Sequence, residues 1–467
     1  SHPRARLAYQ VKDSDTELLL LSKAQSGSEL SSGLDVLLMD GVTEDAWLVE
    51  FDAGERAELS AGQEAYVLYT SGSTGQPKGV SVKQEHLGHY LAHAKTYLTP
   101  EMAGAVVSSP LCFDATITSL LTPLCTGQSV QLLPDGDAAL MVLPGYLNDR
   151  TSSWLFKLTP SHLDALSESV EANEDARHVL VIGGEQWLCG SLRRWQGELL
   201  RGSVFVNEYG PTETVVGTSV FRTGSVDAIA GFADGEGVPI GVPIAGSQLY
   251  VLGAGGQRQP LGSVGELYIG GAGVSGGYLN QEAQTLARFV DFEGERVYRT
   301  GDLVRRNGRG DLVFIGRADE QLSLNGYRIE PGDIKSHLLA VDGVSQAEVL
   351  VVQTRQGQRL VAYVVADEGS WAQTESACQR HLSAQLAEYM QPTAYLRLDR
   401  LPLTANGKLD RKGLPSVDVA SKVRADEVAY VAPVSGTEQA IAKVWGEVLS
   451  VERVGLEDNF FSLGGDS

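Results

Sequence analysis

Four cysteines in 467 residues are few, and Cys112, Cys125, Cys189 and Cys378 show neither a metal-ligand spacing nor a paired pattern. The chain therefore offers no zinc motif and no disulfide framework, and its thiols read as reduced and mostly packed, as in a cytoplasmic protein. No secretory leader and no apolar run long enough to span a bilayer is visible. Cations are also scarce. Lys plus Arg number 37 against 59 Asp plus Glu, a formal net charge of −22. Such a chain repels nucleic acid and anionic lipid, so neither partner is expected. Any anionic ligand must be held by local cations, which makes individual lysines informative.

What is present is an ordinary globular balance, 43% hydrophobic and 21% charged, with 53 glycines that imply many tight turns. The length suits roughly two to four domains. A helix and a short strand, Leu18–Leu21, are expected first. The stretch Tyr66–Val80, YVLYTSGSTGQPKGV, then sets the organisation. Tyr66–Tyr69 is aromatic and β-branched, a buried strand. It empties into a loop carrying Thr70, Ser71, Gly72, Ser73, Thr74, Gly75 and Lys78. Free backbone N–H groups, hydroxyls and one ammonium are the parts that wrap a polyphosphate. The loop is not a Walker A motif, because Pro77 precedes Lys78 and Gly79 follows it. A lone Gly/Ser loop would read as a surface turn.

Further along, His86–Tyr97 reads as a helix. Val106–Leu133 reads as strand, helix and strand, with the helix starting near Asp114, a residue type common at N-caps. Trp154–Leu163, Val179–Glu185 and Val204–Thr214 are strands that run into a helix or a polar loop. Gly241–Asn280, with short strands and frequent turns, suggests a small barrel-like β unit. Asp302, in YRTGDL, can accept two hydroxyls or close an Asx turn, and Arg317, in IGRAD, adds a donor. A helix near Asp333–Val341, a hairpin, a helix over Trp371–Met390 and the strand TAYLRL describe a small α+β unit. Lys408 sits in an Asn-Gly turn, where a lysine is ordinarily solvated. Residues 416–430 read as a polar linker. Beyond it Ala440, Ile441, Val444, Trp445 and Val448 recur at helical spacing.

TSGSTGQPKG, FDA, NEYGPTE, YRTGDL, IGRAD, NGK and FFSLGGDS, in that order, resemble the motifs of adenylate-forming enzymes. The resemblance covers essentially the whole chain. FDA and FFSLGGDS point to the adenylation domains of nonribosomal peptide synthetases, followed by the start of a peptidyl carrier domain. The implied fold class is α/β. A large multi-sheet domain without its N-terminal part would occupy residues 1–318, and a small mobile α+β domain 319–415, hinged at Asp319. A linker, 416–430, and a partial helical carrier domain, 431–467, would follow.

The implied activity is ATP-dependent activation of an amino acid as aminoacyl-AMP, then transfer to a phosphopantetheine thiol. By the resemblance, Thr70–Gly75 and Lys78 hold phosphates, and Asn207 belongs to the second nucleotide motif. Tyr209 stacks on adenine, Thr212 touches phosphate and Glu213 binds Mg²⁺. Asp302 and Arg317 meet the ribose. Lys408 swings in over the substrate carboxylate, and Ser467 carries 4′-phosphopantetheine. The implied substrate pocket is Asp114, Ala115, Thr118, Lys157, Val181, Gly183, Glu208, Val216 and Gly217, with Asp114 on the α-ammonium. Lys157 and Glu208 would give one donor and one acceptor at its floor, which suits a carboxamide. L-Asparagine is the expected substrate and aspartate the second. Three departures stand out: Ala115 where asparagine pockets more often have Leu, and Ser323 and Asn325 where relatives are basic. Implied partners are the carrier domain in cis, neighbouring modules such as condensation domains, and a phosphopantetheinyl transferase. An acyl- or aryl-CoA synthetase and a catalytically silent scaffold module are the alternatives.

Overall fold

A computed structural model describes residues 3–22, 30, 33–39, 59–72, 76–134, 137–319, 322–324, 327–354, 357–366, 371–402, 409, 411–415, 432–433, 435–449 and 453–456. Packing divides the chain into two compact units, residues 1–333 and 334–467. No helix of the described residues is long and apolar enough to cross a membrane.

In the first unit, β1 (Leu18–Leu21) and β2 (Asp35–Leu38) form a parallel pair. β3 (Glu64–Thr70) and β4 (Lys78–Lys83) run antiparallel, with Thr70 opposite Lys78. The Gly-rich loop is thus the connection of a β-hairpin, and Lys78 is the first residue of the returning strand. Next come β5 (Gly104–Val107), β6 (Ser129–Leu132), β7 (Trp154–Leu158), β8 (Val179–Ile182), β9 (Val204–Tyr209), β10 (Ser219–Thr223) and β11 (Val242–Pro243). They form one sheet in the order β11-β10-β9-β8-β7-β5-β6. β6, β5, β7, β8 and β9 are mutually parallel, while β10 and β11 close one edge antiparallel.

Successive strand residues face opposite sides. Val106, Phe156, Leu158, Leu180, Ile182 and Phe205 pack on one face. Ala105, Leu155, Val179, Val181 and Val206 pack on the other, beneath Tyr90, Tyr97 and Ile117. Both faces are covered, which is why these strands read as almost continuous apolar runs. The chain leaves β5 for β6 on one side and returns to β7 on the other. That reversal is a topological switch point, and ligands of open α/β sheets bind in the crevice outside the carboxyl ends of the strands there.

β12 (Ser247–Leu252), β13 (Val264–Gly271), β15 (Phe289–Phe292), β16 (Glu295–Arg306) and β17 (Leu312–Arg317) form a second sheet. The two-residue β14 (Gly277–Tyr278) instead joins β4. The barrel-like unit expected for 241–280 is thus an open sheet among the described residues. The long β16 pairs β15 with its first half and β17 with its second, so the ladder ends without closing. β18 (Leu322–Leu324) and β19 (Tyr327–Ile329) form a short antiparallel ladder. In the second unit, β20 (Val344–Thr354) and β21 (Gly357–Ala366) make the expected hairpin, and β22 (Ala394–Leu398) adds parallel to β21. The helix over Trp371–Gln385 stops short of Met390, which lies in a separate 3₁₀ turn, Glu388–Met390.

Phe156 is fully buried at the centre of the parallel sheet. Phe156→Ala should lower unfolding free energy by about 3–5 kcal/mol, read from the shift of the urea midpoint at unchanged slope.

Candidate functional site

The crevice is built from strand register. Lys157 on β7 lies beside Val181 on β8, which lies beside Val206 on β9. Glu208 is two residues beyond Val206 and so faces the same side. Lys157 is 7% exposed and Glu208 3%. They form a direct ion pair, Lys157 Nζ donating to Glu208 Oε2. Tyr97 donates its hydroxyl to Glu208 Oε1 at 2.6 Å. The Tyr90 hydroxyl lies 3.3 and 3.2 Å from the two carboxylate oxygens and 2.6 Å from Thr118 Oγ1. The sequence suggested two separate polar groups on the pocket floor; register across three strands joins them into one.

The expected pocket glycines make room for that pair. A Cβ at Gly217 would stand 2.5 Å from the Glu208 carboxyl carbon, and one at Gly183 would stand 2.6 Å from the Glu208 carbonyl oxygen. Beside them, Val215 and Val216 adopt φ of 60° and 62°. This left-handed conformation is costly for β-branched residues, of order 1–3 kcal/mol each.

Asp114 follows the carboxyl end of β5. It is not an N-cap: the helix spans Thr116–Leu124, Ala115 occupies the cap position, and no side-chain cap bond is made. Burial raises the Asp114 pKa; the Thr212 hydroxyl and the Lys157 charge partly oppose this. Asp114, Lys157 and Thr212 thus share one neighbourhood.

A second cluster gathers Tyr209, Asp302 and Arg317, three of the residues expected at the nucleotide. Asp302 and Arg317 are direct partners across β16 and β17. Arg317 Nη1 donates to Asp302 Oδ1 at 2.7 Å, and Tyr209 donates its hydroxyl to Asp302 Oδ2. Arg317 also grips Asp319 through two bonds of 2.8 and 2.7 Å. Gly301 is needed here. Its φ is +79°, and a Cβ would lie 2.7 Å from Arg317 Nη2. Asn207 points its amide at the carbonyls of Val238 and Pro239, at 3.1 and 2.9 Å.

Glu213 is fully buried in the 3₁₀ turn Thr212–Thr214, and Tyr278 donates to it at 2.6 Å. Lys78 Nζ lies 5.0 Å above the same tyrosine ring and 3.6 Å from Glu330 Oε1. Among the described residues Thr70 Oγ1 is buried without a hydrogen-bond partner, and Ser71 is buried beside it in the chain. Ser73, Thr74, Gly75, Lys408 and Ser467 lie outside the described residues. Sequence reading missed Tyr90, Tyr97 and Tyr278. Nothing local marks them, since each acts on a carboxylate far away in the chain.

The AMP-binding enzyme family model matches residues 1–279, and the AMP-binding enzyme C-terminal domain model matches 333–408. The chain is 35% identical over 471 aligned residues to bacitracin synthase 3 of Bacillus licheniformis, covering 100% of this chain and 7% of that protein. It spans between 5% and 18% of the length of the first curated relatives it matches. Among solved structures it resembles a nonribosomal peptide synthetase protein with adenylation and carrier domains, bound to a vinylsulfonamide inhibitor. The TM-score is 0.76 and the identity 27%, over 99% of this chain and 75% of that one. It also shares the fold of an o-succinylbenzoate CoA synthetase from Bacillus subtilis. That TM-score is 0.72 at 22% identity, over 88% of this chain and 81% of that one.

Removing one partner of a buried ion pair strands the other charge. Lys157→Met should therefore cost about 3–5 kcal/mol of stability. Adding Glu208→Gln to Lys157→Met should recover most of the loss, because the glutamine still accepts from the tyrosines. Urea denaturation of the single and double variants checks both.

Proposed function

Because the chain belongs to the AMP-binding enzyme family, as an adenylation domain of the nonribosomal peptide synthetase type, we propose that it activates L-asparagine as its adenylate. The observation that carries this is the buried Lys157–Glu208 pair at the switch-point crevice near Asp114. Asp114 takes the α-ammonium. Lys157 has three N–H donors and spends one on Glu208, so two remain for a side-chain oxygen. Glu208 offers about four lone-pair sites to three donors, Lys157, Tyr97 and Tyr90, which leaves one for a carboxamide N–H. Aspartate ranks second, since its carboxylate must sit beside Glu208. Ala115, Thr118, Val181, Gly183, Val216 and Gly217 complete the wall.

In the reaction, an amino-acid carboxylate oxygen bonds to the α-phosphorus of ATP while the bond to pyrophosphate breaks. Tyr209, Thr212, Asn207, Asp302 and Arg317 hold the nucleotide, and the Thr70–Gly75 loop with Lys78 receives its phosphates. The unpartnered Thr70 Oγ1 fits such a ligand. No group of three or more His, Cys, Asp or Glu placed to hold a metal ion occurs among the described residues. The buried Glu213 suits Mg²⁺, which prefers one or two carboxylates plus phosphate oxygens. When bound, Mg²⁺ supplies neutralisation of phosphate charge. Lys408 stabilises the charge developing at the α-phosphate. The domain from Asp319 then turns, and the acyl group passes to a thiol carried on Ser467. A phosphopantetheinyl transferase and condensation domains would be partners. The CoA-synthetase reading shares the fold and would show as CoA-dependent product.

Amino-acid-dependent ATP–pyrophosphate exchange on the full-length protein should peak with asparagine, with aspartate second. Leucine and valine should fall by about 10-fold or more, since each unpaired buried polar group costs about 1–3 kcal/mol. Glu208→Gln should narrow the preference for asparagine over aspartate. A hydrophobic or aromatic winner overturns the pocket assignment.

Lys408→Ala should cripple adenylate formation yet spare thioester formation from supplied aminoacyl-AMP. Equal loss in both half-reactions contradicts its assignment to the first. Lys78→Ala should be the milder change, because loop N–H groups share the phosphate load.

A further inference from the structure

Glu208 is held from behind by residues that belong neither to the nucleotide motifs nor to the implied substrate pocket. Tyr90 lies on the helix Gln84–Ala94 and Tyr97 on the 3₁₀ turn Lys95–Tyr97 that continues it. Their side chains are 0% and 1% exposed. Neither is needed as a polar residue for packing, because phenylalanine would fill the same space. Yet both hydroxyls converge on one carboxylate. A third group stands behind them: His93 Nε2 lies 3.1 Å from the Tyr97 oxygen, with its ring edge-on to the tyrosine.

Proton counting gives this array a direction. Tyr97 has one hydroxyl hydrogen, and at 2.6 Å it goes to Glu208, which as a carboxylate can only accept. The Tyr97 oxygen must then accept from His93, so Nε2 carries its hydrogen. Burial lowers the His93 pKa, which favours the neutral ring donating through Nε2. The chain therefore runs His93 to Tyr97 to Glu208, with Lys157 donating from the opposite side. Each bond in such a series polarises the next, and the low dielectric of the site strengthens all of them.

We propose that Tyr97, backed by His93 and assisted by Tyr90, is a specificity-positioning residue that sets the electrostatic potential of the pocket floor through Glu208. The proposal rests on the reading of Lys157 and Glu208 as that floor. The hydroxyl dipoles turn their positive ends toward the carboxylate and absorb part of its charge. Removing one makes the floor more negative without changing its shape. An anionic side chain then suffers more than a neutral one. Tyr97→Phe should thus widen the preference for asparagine over aspartate, whereas Glu208→Gln narrows it. A structural role alone would lower activity with both amino acids by the same factor.

The test is ATP–pyrophosphate exchange with the full-length protein, in wild type, Tyr97→Phe, Tyr90→Phe and His93→Phe, using asparagine and aspartate. For Tyr97→Phe the ratio of kcat/KM values should widen by roughly three- to tenfold, the worth of one hydrogen bond. The change should lie in KM. His93→Phe should move the ratio the same way by less. An unchanged or narrowed ratio in Tyr97→Phe overturns the proposal. If Tyr97→Phe does not fold, as judged by thermal melting, the His93→Phe ratio decides in the same sense. If wild type prefers another amino acid, the asparagine reading falls on its own. The Tyr97 proposal is then scored on that substrate: an altered KM with kcat retained supports it, and an unaltered KM overturns it.

Discussion

A lysine and a glutamate taken out of water together are expensive, and the desolvation can exceed their attraction unless every remaining lone pair is served. The Lys157–Glu208 pair meets most of that demand at the end of the central parallel strands, through Tyr90 and Tyr97, and much of the surrounding structure follows from it. The strand order places β7, β8 and β9 side by side, so one charge comes from each end of the trio. Gly183 and Gly217 keep the space clear. Tyr90 and Tyr97 arrive from the helical layer above to serve the carboxylate. The paired charges then leave a floor that is polar yet almost neutral, suited to a polar uncharged side chain.

The cluster proposed to hold the nucleotide uses the same physical device. Asp302 is held between Tyr209 and Arg317, and Arg317 is in turn clamped on Asp319. Glu213 is held by Tyr278. Each carboxylate meets its partner through a side chain fixed by strand register or a tight turn, so the groups are oriented before any ligand arrives. In a chain of net charge −22, even the cation proposed to meet phosphate has an anionic neighbour. Lys78 lies 3.6 Å from Glu330, an attraction any bound phosphate must outweigh.

Local features of the site were legible in the sequence, and long-range ones were not. The strand before the Gly-rich loop, the parallel strands through Trp154 and Val179, and the β20–β21 hairpin follow from β-branched runs and turn residues alone. The ordered motifs brought Tyr209, Thr212, Asp302 and Arg317 into one reading; Tyr209 and Arg317 both bond Asp302, whereas Thr212 lies near Asp114. The ion pair was not legible, because Lys157 and Glu208 meet only through the register of three strands. Tyr90, Tyr97 and Tyr278 were invisible for a related reason: a buried tyrosine looks the same in sequence whether or not its hydroxyl finds a carboxylate. The helix after Asp114 starts at Thr116, and Asp114 lies near Thr212 and Lys157. The barrel-like reading of 241–280 failed among the described residues because short strands and turns do not reveal which edges pair.

The central claim is that the Lys157–Glu208 pair forms the floor against which the substrate side chain is read. A crystal structure of the full-length protein with a non-hydrolysable asparaginyl sulfamoyl adenosine analogue tests it most directly. The account predicts the α-ammonium on Asp114, the side-chain oxygen within about 3 Å of Lys157 Nζ and the side-chain nitrogen at Glu208. A bound analogue whose side chain points away from both residues would contradict it.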